Sequence, residues 1–146
     1  MIYRPSFFHL SELVCKDVYE KYGDMAWLFL DEKIVVTIDQ IRRMLNKPIT
    51  INNWYEGGQF SQRGLRCNTC SLVREKTLKN QIYMSAHVTG RAIDFSVQDL
   101  DSAEVAIWIA YNKAKLPYNL RIEKDTEGWT HVDSYDNGNK LTFINP

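Results

Sequence analysis

The chain has no surplus of either charge: across 146 residues, Lys and Arg total 18, Asp and Glu total 18, and the formal net charge is zero. Binding that depends on neutralising phosphates normally draws on a basic excess, so no nucleic-acid partner is expected. Attraction to anionic lipid loses its usual support for the same reason. Long apolar runs are also missing. The longest, Met25-Ala26-Trp27-Leu28-Phe29-Leu30, is bracketed by Asp24 and Asp31 and falls far short of the roughly 20 apolar residues of a membrane span. No membrane insertion is expected. The stretch Met1–Leu10 has no basic segment followed by an apolar block and a small-residue cleavage site, which predicts cytoplasmic synthesis without a signal peptide.

Cysteine is scarce. Cys15, Cys67 and Cys70 are odd in number and do not make a disulfide framework. Cys67-Asn68-Thr69-Cys70 has the spacing of half a zinc ribbon, but no second pair exists and a structural zinc takes four ligands. Free thiols in a loop are the expectation. With no repeat, low-complexity tract or Pro/Gly/Ser linker, residues 1–146 read as a single domain, long enough to bury one core but not two.

Leu10, Leu13, Val14, Val18 and Tyr22 follow the spacing of one helix face up to Gly23. A short helix over Met25–Leu30 is expected after Asp24 as N-cap. Thr37-Ile38-Asp39-Gln40 has the pattern of a capping box, predicting a helix that carries Ile38, Ile41 and Leu45 and stops before Pro48. Period-2 segments then take over. Ile49–Asn52, Ala92–Val97, Tyr118–Glu123, Trp129–Asp133 and Leu141–Ile144 read as strands, with turns at Thr126–Gly128 and Asp136–Asn139. Asp101-Ser102-Ala103-Glu104 caps a helix to about Lys113. Trp54–Asn80 reads as a long surface excursion, and loops of that length in small domains are usually functional. The class is α+β, a small antiparallel sheet with helices packed on one side.

Three histidines are available. His9 sits among Phe7, Phe8 and Leu10 and is expected to be a packed or surface histidine. His87 lies in Ser85-Ala86-His87-Val88-Thr89-Gly90-Arg91-Ala92-Ile93-Asp94. Asp94 alternates with Ile93 and Phe95, so it is an enclosed carboxylate in want of a partner, and a cation suits. In an extended Glu127–Asp133, period 2 puts Glu127, Trp129, His131 and Asp133 on one face. His87, Asp94 and His131 would then offer two imidazoles and a carboxylate, the three-ligand pattern of a catalytic zinc with an open fourth position.

The run Ser-x-His-x-x-Gly-x-Ala-x-Asp from Ser85 to Asp94, with Trp129-Thr130-His131 after it, resembles the signature of the zinc D-alanyl-D-alanine carboxypeptidase and peptidoglycan endopeptidase family. That family includes many phage endolysins and shares its fold with the hedgehog signalling domain. The likeness extends over roughly residues 7–135. It implies Zn2+ held by His87, Asp94 and His131, a carboxylate near the second histidine as general base, and an arginine from the preceding loop for substrate or oxyanion. Many members carry the base three residues before the second histidine, where this chain has Gly128. Glu127 is the nearest substitute, with Asp125 and Asp133 as alternatives. Asp133 could equally orient His131 from behind. The family's Ser-Gly-Tyr-Arg element is replaced by Asn53-Trp54-Tyr55, so Arg63 is favoured as the catalytic arginine, with Arg66 and Ser85 as substrate-binding residues.

The function implied is a zinc metallopeptidase cutting peptide stems of peptidoglycan, a phage or prophage lytic enzyme acting as a monomer at the cell wall. The alternatives are an inactive metal-binding virion or binding domain of the same fold, and a cytoplasmic D-Ala-D-Ala dipeptidase.

Overall fold

A computed structural model describes residues 1–146. The order of elements is α1 (Leu10–Leu13), α2 (Lys16–Tyr22), α3 (Glu32–Leu45), β1 (Ile49–Thr50), α4 (Ser71–Leu78), β2 (Ala92–Val97), α5 (Ser102–Asn112), β3 (Leu120–Glu123), β4 (Thr130–Asp133) and β5 (Leu141–Ile144). A 3-10 segment covers Gly23–Phe29. The class is α+β, as expected. No helix is long and apolar enough to cross a membrane.

The five strands form one sheet in the order β1-β2-β4-β3-β5. It is mixed rather than purely antiparallel, because β5 runs parallel to β3. The Asp136–Asn139 turn reverses the chain after β4, but β3 already occupies the place beside β4. The returning strand therefore lands on the far edge of β3 and shares its direction.

One sheet face is apolar. Ile93, Phe95 and Val97 of β2, Ile122 of β3 and Val132 of β4 are buried there in a core shared with Ile34, Ile38 and Ile41 of α3 and Val105 and Ile109 of α5. Helix α3 packs on β2, and α5 on β2 and β4. The opposite face carries Ala92, Asp94 and Ser96 of β2, His131 and Asp133 of β4, and Arg121 and Glu123 of β3, as strict alternation requires. A single sheet thus separates the core from the chemistry.

Several expected boundaries move. The helix predicted over Leu10–Tyr22 breaks at Val14 and Cys15, both extended. Val14 pairs with Leu65, and its carbonyl accepts from Asn52 Nδ2 (3.1 Å) and Trp54 Nε1 (3.2 Å), so tertiary partners replace helical ones. Helix α3 opens at Asp31, whose side chain accepts from the Lys33 N–H, and not at Thr37. The buried stripe starts at Ile34, so burial sets the start and leaves Thr37 in mid-helix. Its hydroxyl there is buried without a hydrogen-bond partner. The strand expected over Ile49–Asn52 ends at Thr50, because Asn52 turns inward to hold Val14 and the Arg63 N–H.

The Trp54–Asn80 excursion contains α4 and is pinned along its middle. Leu65 is buried, its N–H donating to Leu13 O (2.9 Å) and its carbonyl accepting from Cys15 N–H (3.0 Å). Gly64 passes so close to this strip that a Cβ would lie 2.1 Å from the Leu13 carbonyl oxygen. Only glycine fits there.

Candidate metal centre

The register of β2 against β4 sets Asp94 directly opposite His131. Facing residues on one side of an antiparallel pair have Cβ atoms about 5 Å apart, and here His131 Nδ1 lies 2.8 Å from Asp94 Oδ1. His87 comes from the turn before β2, and its Nε2 lies 3.3 Å from Asp94 Oδ2. Gly90 shapes that turn, with φ +69° and no room for a Cβ, which would sit 1.9 Å from Phe29 O. All three side chains are buried, and one ligating atom from each lies within 4.8 Å of the others.

Each imidazole is fixed from behind. His87 Nδ1 lies 2.8 Å from the Gly64 carbonyl and donates to it, so Nε2 is the nitrogen turned toward Asp94 and the one a metal would take. His131 Nε2 lies 3.0 Å from Asp133 Oδ2. Asp133 is itself fully buried and accepts from Arg121 Nε (2.8 Å) and Nη2 (3.0 Å), and from the Tyr135 N–H (3.1 Å). A carbonyl or carboxylate behind a ligating histidine is how proteins set its tautomer and raise its basicity. Asp133 thus occupies the orienting position that was one of its two expected roles.

The charges follow from this packing. Burial raises the pKa of Asp94, but hydrogen bonds from His131 and His87 outweigh it and hold the carboxyl well below the usual range. Burial lowers His131, but Asp133 and Asp94 outweigh it and raise the imidazole to about 9. The protonated ring lies between two carboxylates. Two nitrogens and a carboxylate oxygen, converging and oriented, form a donor set that suits a borderline divalent cation, and the residues fit such an ion.

A cavity of about 580 Å³ opens over this cluster, and Arg63, Arg66, Ser85, Glu123 and Trp129 line it. Arg66 is nearly buried and uses its whole fork, donating to Gln62 O (2.6 Å), Tyr83 Oη (2.9 Å) and Asp94 Oδ2 (3.1 Å). Arg63 donates to Ser96 Oγ at 2.9 Å and lies over the Phe60 ring with 3.6 Å from guanidinium carbon to centroid. Burial lowers its pKa. Ser85 Oγ accepts from the His87 N–H at 3.2 Å and so also shapes the turn.

Glu127 is not brought to this cavity. Strand β4 begins only at Thr130, and Glu127 sits exposed in the preceding turn, beside Gly128 at φ +84°. Asp125 is exposed in the same turn. The carboxylate that does line the cavity is Glu123, at the end of β3. The pairings Arg121 to Asp133 and Ile122 to Val132, carried one residue further, set Glu123 opposite His131. Its charge is among those that raise the His131 pKa. Tyr83 was likewise not anticipated. Glu123 could have been found from period 2 in β3, but only with the strand pairing known.

A second cluster stands apart. The sulfurs of Cys15, Cys67 and Cys70, all free thiols as expected, also lie within 4.8 Å of one another.

Searches against family models, curated proteins and solved structures returned no match to this chain.

Proposed function

We propose that this chain is a zinc metallopeptidase with a hedgehog-like fold, acting on peptide stems of bacterial peptidoglycan. One observation carries the proposal. His87, Asp94 and His131 converge with both imidazoles oriented from behind, on the floor of a cavity that also holds a carboxylate and two arginines. The Ser85–Asp94 signature supports the same assignment and supplies the substrate class.

Zinc held by these residues would supply Lewis acidity, polarising a peptide carbonyl and making a water more acidic. The chain's own residues do the rest. Glu123 takes the proton as water oxygen bonds to the carbonyl carbon, then returns it to the departing amine when the C–N bond breaks. Asp133 holds His131 in position through Nε2. Arg66, fastened at three points, takes the role expected of Arg63 and presents a fixed positive charge beside the reacting carbonyl, where developing negative charge is stabilised. Arg63 and Ser85 line the same cavity and offer donors to the polar stem peptide.

The experiment is digestion of sacculi of several chemotypes by zinc-loaded protein, with mass spectrometry of the fragments. New amino termini from wild type and none from His87→Ala is the expected result. A protein that holds one zinc at this centre yet releases none from any chemotype would overturn the peptidase proposal in favour of a metal-binding domain. Release only from free D-Ala-D-Ala dipeptide would move the substrate to the cytoplasm.

A further inference from the structure

The three cysteines are brought together from distant parts of the chain. Cys15 stands between α1 and α2, directly after Val14, which bridges to Leu65. Cys67 and Cys70 form a turn in which the Cys70 N–H donates to Cys67 O (3.2 Å), and Cys70 then caps α4. Such a turn puts residues i and i+3 on one side. The Cys67 and Cys70 sulfurs lie 3.9 Å apart, and Cys15 completes a triangle with all separations within 4.8 Å. Zinc–thiolate bonds of about 2.3 Å in a tetrahedron put sulfurs about 3.8 Å apart. The triangle is close to one face of that tetrahedron.

The cluster is largely enclosed, with one polar side. Cys15 and Cys70 are buried, Cys67 is half-buried, and all three are free thiols. Cys67 Sγ lies 2.9 Å from Thr69 Oγ1, which donates to Asp17 Oδ2 at 2.6 Å, so a polar, solvent-facing side adjoins the cluster.

We propose that Cys15, Cys67 and Cys70 form a second metal site, a tri-thiolate centre for Zn2+ whose fourth position is left to solvent. Binding converts three thiols into three thiolates and releases three protons to solvent, leaving a centre of net charge −1 with no redox change. Its place in the fold gives it a purpose. The site closes the chain between Cys15 and Cys67, and the segment so fastened carries Arg63, Gly64 and Arg66, which reach the first centre. A metal that closes a long loop stabilises chiefly by restricting the unfolded chain.

Cobalt titration of the reduced, metal-free full-length protein tests this, because thiolate ligands give an intense near-ultraviolet charge-transfer band that imidazole and carboxylate do not. Two equivalents of Co2+ are expected, with the band present in wild type, retained in His87→Ala, lost in Cys67→Ser and bleached by Zn2+. Cys67 is the half-buried member, so Cys67→Ser is the variant expected to stay folded, checked by circular dichroism. Absence of the band at saturating cobalt in wild type would overturn the proposal, as would its survival in folded Cys67→Ser. A Cys67–Cys70 disulfide in protein purified with zinc, found by thiol counting, would replace the metal site with a redox pair. None of these outcomes touches the His87, Asp94 and His131 centre, whose own test is hydrolysis.

Discussion

Metal and proton compete for one nitrogen of His131. Without metal its Nδ1 faces Asp94 at 2.8 Å and its Nε2 faces Asp133 at 3.0 Å, and the two carboxylates hold the ring protonated up to about pH 9. A metal needs the Nδ1 lone pair, so below that pH one proton must leave for each ion bound. Affinity at this centre is therefore expected to fall about tenfold per pH unit between 9 and 7, roughly a hundredfold or ~2.7 kcal/mol in total. Competition against a chromophoric chelator at pH 7, 8 and 9 measures it, in a Cys67→Ser background that excludes thiolate binding. Removing one carboxylate by Asp133→Asn should shift the onset of the fall to lower pH. A flat profile from pH 7 to 9 would refute the reasoning, because His131 would then be neutral in the free protein. The stability of the metal-free protein has the matching sign. The folded pKa is raised from the 6.5 of the unfolded chain to about 9, so this stabilisation is complete below pH 6.5 and lost as pH rises through 9. The total is on the order of 3 kcal/mol. Thermal melts of metal-free protein should decline over that window, while zinc-loaded protein should not.

The choice between two glutamates is decided by paired variants: Glu123→Gln should keep zinc and fold but lose on the order of 10²–10⁴ in hydrolysis rate, while Glu127→Gln should turn over as wild type. The reverse pattern would return the base to the turn. Gly90→Ala has to accommodate a Cβ 1.9 Å from Phe29 O at φ +69°, and a loss of at least about 3 kcal/mol is expected by chemical denaturation, together with weakened metal binding through displaced His87. Thr37→Val removes a buried hydroxyl that has no partner, so it should be neutral or stabilising by up to about 1 kcal/mol in the same assay; a loss of 2 kcal/mol would mean the hydroxyl is satisfied.

Local chemistry was legible in the chain itself. Alternation across Ala92–Val97 separates Asp94 from Ile93 and Phe95 whatever the neighbours, and the Asp101–Glu104 capping box forms as written because its partners lie within one turn. Asp94 and His131 could be chosen in advance because each sits on a strand whose period fixes its face, whereas His87 lies in a turn and is singled out only by the Ser85–Asp94 resemblance. What depends on pairing could not be read. Which strand lies beside β4 decides that Glu123, not Glu127, shares the cavity with His131, and that β5 runs parallel. The start of α3 at Asp31 went to the residue beside the buried stripe, leaving the Thr37 capping pattern unused. The meeting of Cys15 with Cys67 and Cys70 likewise rests on the strip of hydrogen bonds that holds Leu65 against Leu13 and Cys15. Sequence determines contacts within a turn or a strand, because geometry there has a short period; contacts between segments wait on burial, which only the folded chain resolves.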